Sequence, residues 1–128
     1  MKFEHYAINV QDAVQVADWY IEHCGLKAVV ALEKAPYTRF LADDTGRVFI
    51  EIYANTTAPV PDYAQMSHFQ YHLAFAVTDV ESEKERLLAA GFSYVEEVNP
   101  GSGSRLIMLR DPFGIPLQLC QRANPFSS

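Results

Sequence analysis

Two stretches of this chain repeat one another. His5 and Glu51 lie 46 residues apart, as do His72 and Gln118, and the second pair follows the first by 67 residues. The flanking segments agree: HYAINVQDAV from His5 and HLAFAVTDVE from His72 share His, Ala, Val and Asp at equal offsets. An internal repeat constrains a fold more than local propensity does, because one supersecondary unit has to be used twice. Each copy carries a His near its start and an oxygen donor near its end. Two such copies can build a single metal site on a pseudo-twofold axis.

Hydrophobic periodicity gives the content of each copy. Residues 3–10 (FEHYAINV) read as a strand with His5, Ala7 and Asn9 on one face. Asp12 is a candidate N-cap for a helix whose apolar residues are Ala13, Val16, Ala17, Tyr20 and Ile21, ended at Gly25. LKAVVALEK, YTRFLAD and RVFIEIYAN follow as three strands, with a turn at Asp44-Thr45-Gly46. The order is βαβββ. Residues 54–70 break the pattern with Pro59, Pro61 and Asp62 and read as a linker. The order then recurs: FQYHLAFAV, a helix from Asp79 to Gly91, then FSYVEEV, SRLIMLRD and IPLQLCQR, with Asp111 to Gly114 as the turn matching Asp44 to Gly46. The expected organisation is one domain over 1–122, with a first module of about 1–56, a linker of 57–68, a second module of about 69–122, and a loose tail at 123–128.

At 128 residues, 49 % hydrophobic and 20 % charged, the chain has the composition of a single globular domain. A formal net charge of −6 provides no basic footprint for nucleic acid. No apolar stretch is long enough to span a bilayer, and no signal peptide is expected. Cys24 and Cys120 lack CxxC spacing and read as free thiols of a cytoplasmic protein.

Tandem βαβββ modules with these residues in place resemble the vicinal oxygen chelate superfamily, the group of glyoxalase I, extradiol dioxygenases, fosfomycin resistance enzymes and bleomycin-binding proteins. The resemblance rests on His5 opening an H-x-x-I-x-V-x-D segment, on Trp19-Tyr20, on Cys24-Gly25-Leu26, on Asp111-Pro112-x-Gly114 before the last strand, and on a ligand-type residue at 118 between Leu117 and Leu119. It implies an α+β fold in which the modules form a half-barrel cleft. It further implies that His5, Glu51, His72 and Gln118 are metal ligands, since these match the family positions at the start of the first strand and on the last strand of each module. Strand alternation agrees, because Glu51 and Gln118 each oppose an apolar pair.

Two imidazoles, one carboxylate and one amide oxygen suit Zn, Ni, Co, Mn or Fe. Open positions on such an ion would accept a small substrate with vicinal oxygens, and Lewis acidity would stabilise an enediolate-type intermediate. The expected activity is a glyoxalase-like lyase or isomerase reaction. Gln118 departs from the family pattern, in which Glu is usual. It cannot take a proton, so Glu51 is the only ligand able to act as general base. With one carboxylate the divalent site keeps a formal charge of +1, which favours an anionic chelating substrate.

Asn9 stands where glyoxalase I usually carries an Arg for the glutathione carboxylate, which argues against a lactoylglutathione substrate. Extradiol dioxygenases have their carboxylate at the position of Gln118, so oxygenase chemistry is disfavoured. Arg39 and Arg105, at nearly equivalent places in the two modules, are candidate substrate contacts. His68 and His23 read as surface residues. A homodimer is expected from the family. The alternative is a metal-free drug- or metabolite-binding protein of the bleomycin-resistance kind.

Overall fold

The computed structural model describes residues 1–126. The elements are β1 (Tyr6–Asn9), α1 (Ala13–Cys24), β2 (Lys27–Ala31), β3 (Arg39–Ala42), β4 (Val48–Tyr53), β5 (Leu73–Ala76), α2 (Val80–Ala90), β6 (Ser93–Val98), β7 (Arg105–Arg110) and β8 (Pro116–Gln121). The expected βαβββ order therefore occurs twice. The chain divides into two compact units, the second beginning at Asp62.

Each unit holds one open four-stranded sheet, with strand order β1-β4-β3-β2 in the first and β5-β8-β7-β6 in the second. The β1–β4 and β5–β8 pairs are parallel and the remaining pairs antiparallel. Parallel neighbours need a long crossover, and here the helix and two further strands supply it.

The helices start and stop where side-chain chemistry dictates. Asp12 accepts from the Gln15 amide at 3.0 Å, and Asp79 accepts from the Ser82 amide at 3.0 Å. Each such cap is worth about 1 kcal/mol. Helix α1 buries Ala13, Val16, Ala17 and Tyr20 and packs on β3 and β4, where Leu41, Ile50 and Ile52 are buried. Helix α2 buries Val80 and Leu87 and packs on β7 and β8, over Ile107, Leu109, Leu117 and Leu119. Apolar side chains on alternate strand residues thus face a helix, and the residues between them face the other way.

Register carries the repeat into three dimensions. Ala7 pairs with Glu51 in the first sheet and Ala74 pairs with Gln118 in the second, both related by 67 residues. The third strand of each module is offset differently: Phe40 pairs with Glu51, and Met108 pairs with Gln118, a separation of 68. A bulge between Leu41 and Ala42, opposite Val48 and Ile50, absorbs the difference. The turn equivalent to Asp111 is consequently Asp43, not Asp44. Asp43 and Asp111 each accept a backbone N–H two residues on, from Thr45 at 3.0 Å and Phe113 at 2.9 Å, and each accepts at its own carbonyl from the glycine three residues on.

The segment read as a linker contains a 3-10 turn at Tyr63–Gln65, with Tyr63 buried. Arg110 ties it to the second sheet by donating to the carbonyls of Tyr63 at 3.0 Å, Met66 at 2.6 Å and Gly114 at 2.9 Å. Among the described residues, no helix is long and apolar enough to cross a membrane. The last two residues of the expected tail lie outside the described residues.

Candidate functional site

In the first module His5 precedes β1 by one residue, so it shares a face with Ala7 and, through the register, with Glu51. His5 Nε2 lies 3.5 Å from Glu51 Oε1, with the side chains 28 % and 19 % exposed. The His5 ring is held edge-on to Phe40, centroids 5.0 Å apart, and its Nδ1 is 2.8 Å from Glu4 Oε1. Both ring nitrogens of His5 therefore face carboxylate oxygens, Glu4 at Nδ1 and Glu51 at Nε2.

The second module repeats this logic with different partners. His72 precedes β5, and Ala74 and Gln118 continue its face. His72 Nδ1 donates to the His68 carbonyl at 2.8 Å, leaving the Nε2 lone pair free. Such an outer partner on Nδ1 is the usual arrangement behind a metal-binding His. The half-buried Gln118 accepts at Oε1 from the Cys120 thiol at 3.3 Å. Burial pushes the Cys120 thiol up, which keeps it protonated as a donor.

The donor set can be tested against a divalent ion. Two donors each about 2.1 Å from one ion stand roughly 3.0 Å apart at a right angle and roughly 3.4 Å apart at the tetrahedral angle. At 3.5 Å the His5–Glu51 separation lies just beyond that span. By donor type alone, two imidazoles, a carboxylate and an amide oxygen are ligands a divalent ion accepts. Among the described residues, no three His, Cys, Asp or Glu side chains stand together as a ready-made cage.

Arg39 and Arg105, the candidate substrate contacts, open β3 and β7. Arg39 pairs with Ile52, which places it on the helix-facing side of its sheet, opposite Glu51. It is only 7 % exposed and donates to the carbonyls of Leu32 at 2.6 Å and Tyr37 at 3.0 Å. Arg105 pairs with Gln121, on the face opposite Gln118, and is bound by Glu81 and Glu97. Those hydrogen bonds hold the Glu97 and Glu81 carboxyls below their ordinary range and push Arg105 up. The two are not at equivalent places, since the 68-residue offset of these strands matches Arg39 to Ile107. His68 is more than a surface residue, because its Nε2 lies 2.8 Å from Glu96 while its carbonyl orients His72. The sequence reading missed Arg122, which follows β8 directly, four residues beyond Gln118, and lines a cavity with Ala74 and Cys120. Counting in twos from Gln118 would have found it.

No curated protein sequence matches the chain. Solved structures do. An integron cassette protein from the mobile metagenome of Halifax Harbour sewage outfall is 18 % identical, with TM-score 0.73 over 94 % of this chain and 98 % of that one. The fosfomycin resistance protein FosX from Listeria monocytogenes is 19 % identical, with TM-score 0.72 over 96 % and 94 %. The antibiotic binding protein TnmS3 from Streptomyces sp. CB03234 is 18 % identical, with TM-score 0.70 over 96 % and 97 %. At these identities the likeness is one of fold. Residues 2–119 match the family described as the Glyoxalase/Bleomycin resistance protein/Dioxygenase superfamily, and the chain belongs to that superfamily.

Proposed function

We propose that the protein is a divalent-metal-dependent lyase or isomerase related to glyoxalase I, with His5, Glu51, His72 and Gln118 as metal ligands. The observation that carries this reading is the His5–Glu51 pair at 3.5 Å, with Nδ1 of both histidines already committed to an oxygen acceptor. When bound, the ion supplies Lewis-acid stabilisation of negative charge developing on neighbouring substrate oxygens.

The chain's own residues divide the remaining work. Glu51 accepts the proton from the substrate carbon, since it is the only member of the set that can take one. Gln118 offers an oxygen that stays neutral, and the Cys120 thiol keeps that oxygen in position. Ala7 and Ala74, paired with Glu51 and Gln118, present only methyl groups on the candidate ligand faces and leave room for a substrate. Proton transfer is therefore one-sided, and the substrate is a small molecule with vicinal oxygens and net negative charge. Neither Cys24 nor Cys120 is in a disulfide, which fits a reducing, cytoplasmic setting. Strand β2 is exposed along its length and carries Val29 and Val30, a surface suited to a second copy in a homodimer. An activity screen of hemithioacetals, hydroxyketones and CoA esters tests the assignment: turnover that needs added metal and disappears in Glu51→Gln supports it. Full turnover in that variant would remove Glu51 from the role of base.

The second reading, a metal-free small-molecule binder, is favoured by one observation. The second module contains a cavity of about 530 Å³, a size typical of ligand pockets. Metal analysis of the purified protein separates the two.

A further inference from the structure

The cavity has walls from β5, β8 and the segment that follows β8: Ala74, Ala76, Cys120, Arg122, Pro125 and Phe126 line it. Ala74 pairs with Gln118 and Ala76 with Cys120, so the cavity lies on the same face as the candidate ligand Gln118. The duplication shows why it opens here. The residues 67 positions earlier than Ala76, Cys120 and Arg122 are Asn9, Tyr53 and Asn55. In the first module that place is filled. Asn9 accepts from the Asn55 amide at 2.7 Å and donates to the carbonyls of Asn55 at 2.9 Å and Ala58 at 3.2 Å, and it pairs with Tyr53 across the sheet. In the second module a methyl group and a thiol replace the amide and the phenol, and space remains.

Arg122 gives that space a chemical preference. Its guanidinium sits over the Phe126 ring, 4.3 Å from the centroid, and bears on the Cys120 thiol. No carboxylate among the described residues pairs with it, whereas Arg105 and Arg86 are both bound by glutamates. A guanidinium beside a small-residue, largely apolar cavity matches a carboxylate or sulfonate on an apolar body, because its planar fork takes such groups two oxygens at a time. Phe126 is 86 % exposed, so it has surface to lose to a ligand that stacks on it.

We propose that this cavity binds a small organic monoanion with a planar apolar body, Arg122 holding the anionic group and Phe126 closing over the body. The binding itself needs no metal. Its use as the anion subsite for the substrate rests on the reading given under Proposed function.

The test is a fluorescence titration in EDTA with two probes of one shape. They are 1-anilinonaphthalene-8-sulfonate and its neutral counterpart N-phenyl-1-naphthylamine. Arg122→Met is expected to weaken the sulfonate about 10-fold or more, the usual scale of a charge-assisted bond, and the neutral probe less than about threefold. Arg122→Lys should fall between, and Cys120→Leu, which fills the cavity, should weaken both. Equal losses for the two probes in Arg122→Met would overturn the anion assignment, and unchanged binding in Cys120→Leu would overturn the cavity. Because metal is chelated throughout, neither result depends on whether the four proposed ligands hold an ion.

Discussion

Replacing Asp111 by Ala should destabilise the second unit and loosen the position of Gln118. Asp111 is only 4 % exposed. Its Oδ1 accepts from the amides of Ile115 at 2.8 Å and Phe113 at 2.9 Å, and its backbone amide donates to the Ile115 carbonyl at 3.0 Å. Ile115 is fully buried, so its N–H cannot turn to water. An unsatisfied buried donor costs about 1–3 kcal/mol, and the part-buried Phe113 N–H adds a smaller amount. The expected loss is about 2–4 kcal/mol. For a chain of this size that lowers Tm by roughly 6 °C at least.

The functional consequence runs through register. The turn joins β7 to β8 and sets Met108 opposite Gln118. A slip of one residue would turn Gln118 to the helix face and Leu117 or Leu119 to the ligand face. Thermal unfolding followed by circular dichroism gives the first number. Asp111→Asn, which keeps the Oδ1 that takes both amides, should recover most of the loss. If Asp111→Ala unfolded within about 2 °C of the unaltered protein, the account of this turn would be wrong.

Other perturbations follow from the same structure. Gly46 and Gly114 have similar φ values of 84° and 86°, but a Cβ at Gly114 would lie 2.8 Å from the Ala64 backbone and one at Gly46 would meet nothing. Gly46→Ala should cost only the left-handed strain of about 1–2 kcal/mol, and Gly114→Ala distinctly more; equal values in urea unfolding would contradict this. Arg105→Met removes the partner that lowers the Glu97 and Glu81 carboxyls. A depressed carboxyl stabilises the fold at neutral pH and loses that contribution as pH falls through its folded value. The unaltered protein should therefore lose more stability on acidification through the carboxylate range than Arg105→Met does, and parallel pH profiles would refute the pairing. His68→Ala keeps the backbone carbonyl that orients His72 but frees Glu96, so metal affinity should change less than in His72→Ala, as a titration with Zn would record.

Much of the fold was legible because the repeat and the helix signals agree. Asp12 and Asp79 cap the helices, Gly25 and Gly91 end them in the left-handed region, and Glu51 and Gln118 take matching registers. What escaped the sequence reading were matters of parity and of contact. The bulge opposite Val48 shifted the turn equivalence by one residue, from Asp44 to Asp43, and a bulge leaves no mark on hydrophobic periodicity. Arg39 and Arg105 lie on strands that also carry ligand-face residues, yet one step of alternation puts them on the helix side. The Glu4 and His68 oxygens that fix the two imidazoles come from a neighbouring residue and a backbone carbonyl. No spacing rule anticipates these. Arg122 was hidden by its nearness to the chain end, although its separation from Gln118 is the strand period taken twice.

The central claim is that His5, Glu51, His72 and Gln118 hold a divalent ion. Metal content of protein purified from metal-replete cells tests it most directly. The account predicts roughly one Zn, Ni, Co, Mn or Fe per chain, lost in both His5→Ala and His72→Ala while the circular dichroism spectra stay unchanged. A metal-free protein whose stability does not respond to added Zn, Ni or Mn would contradict it.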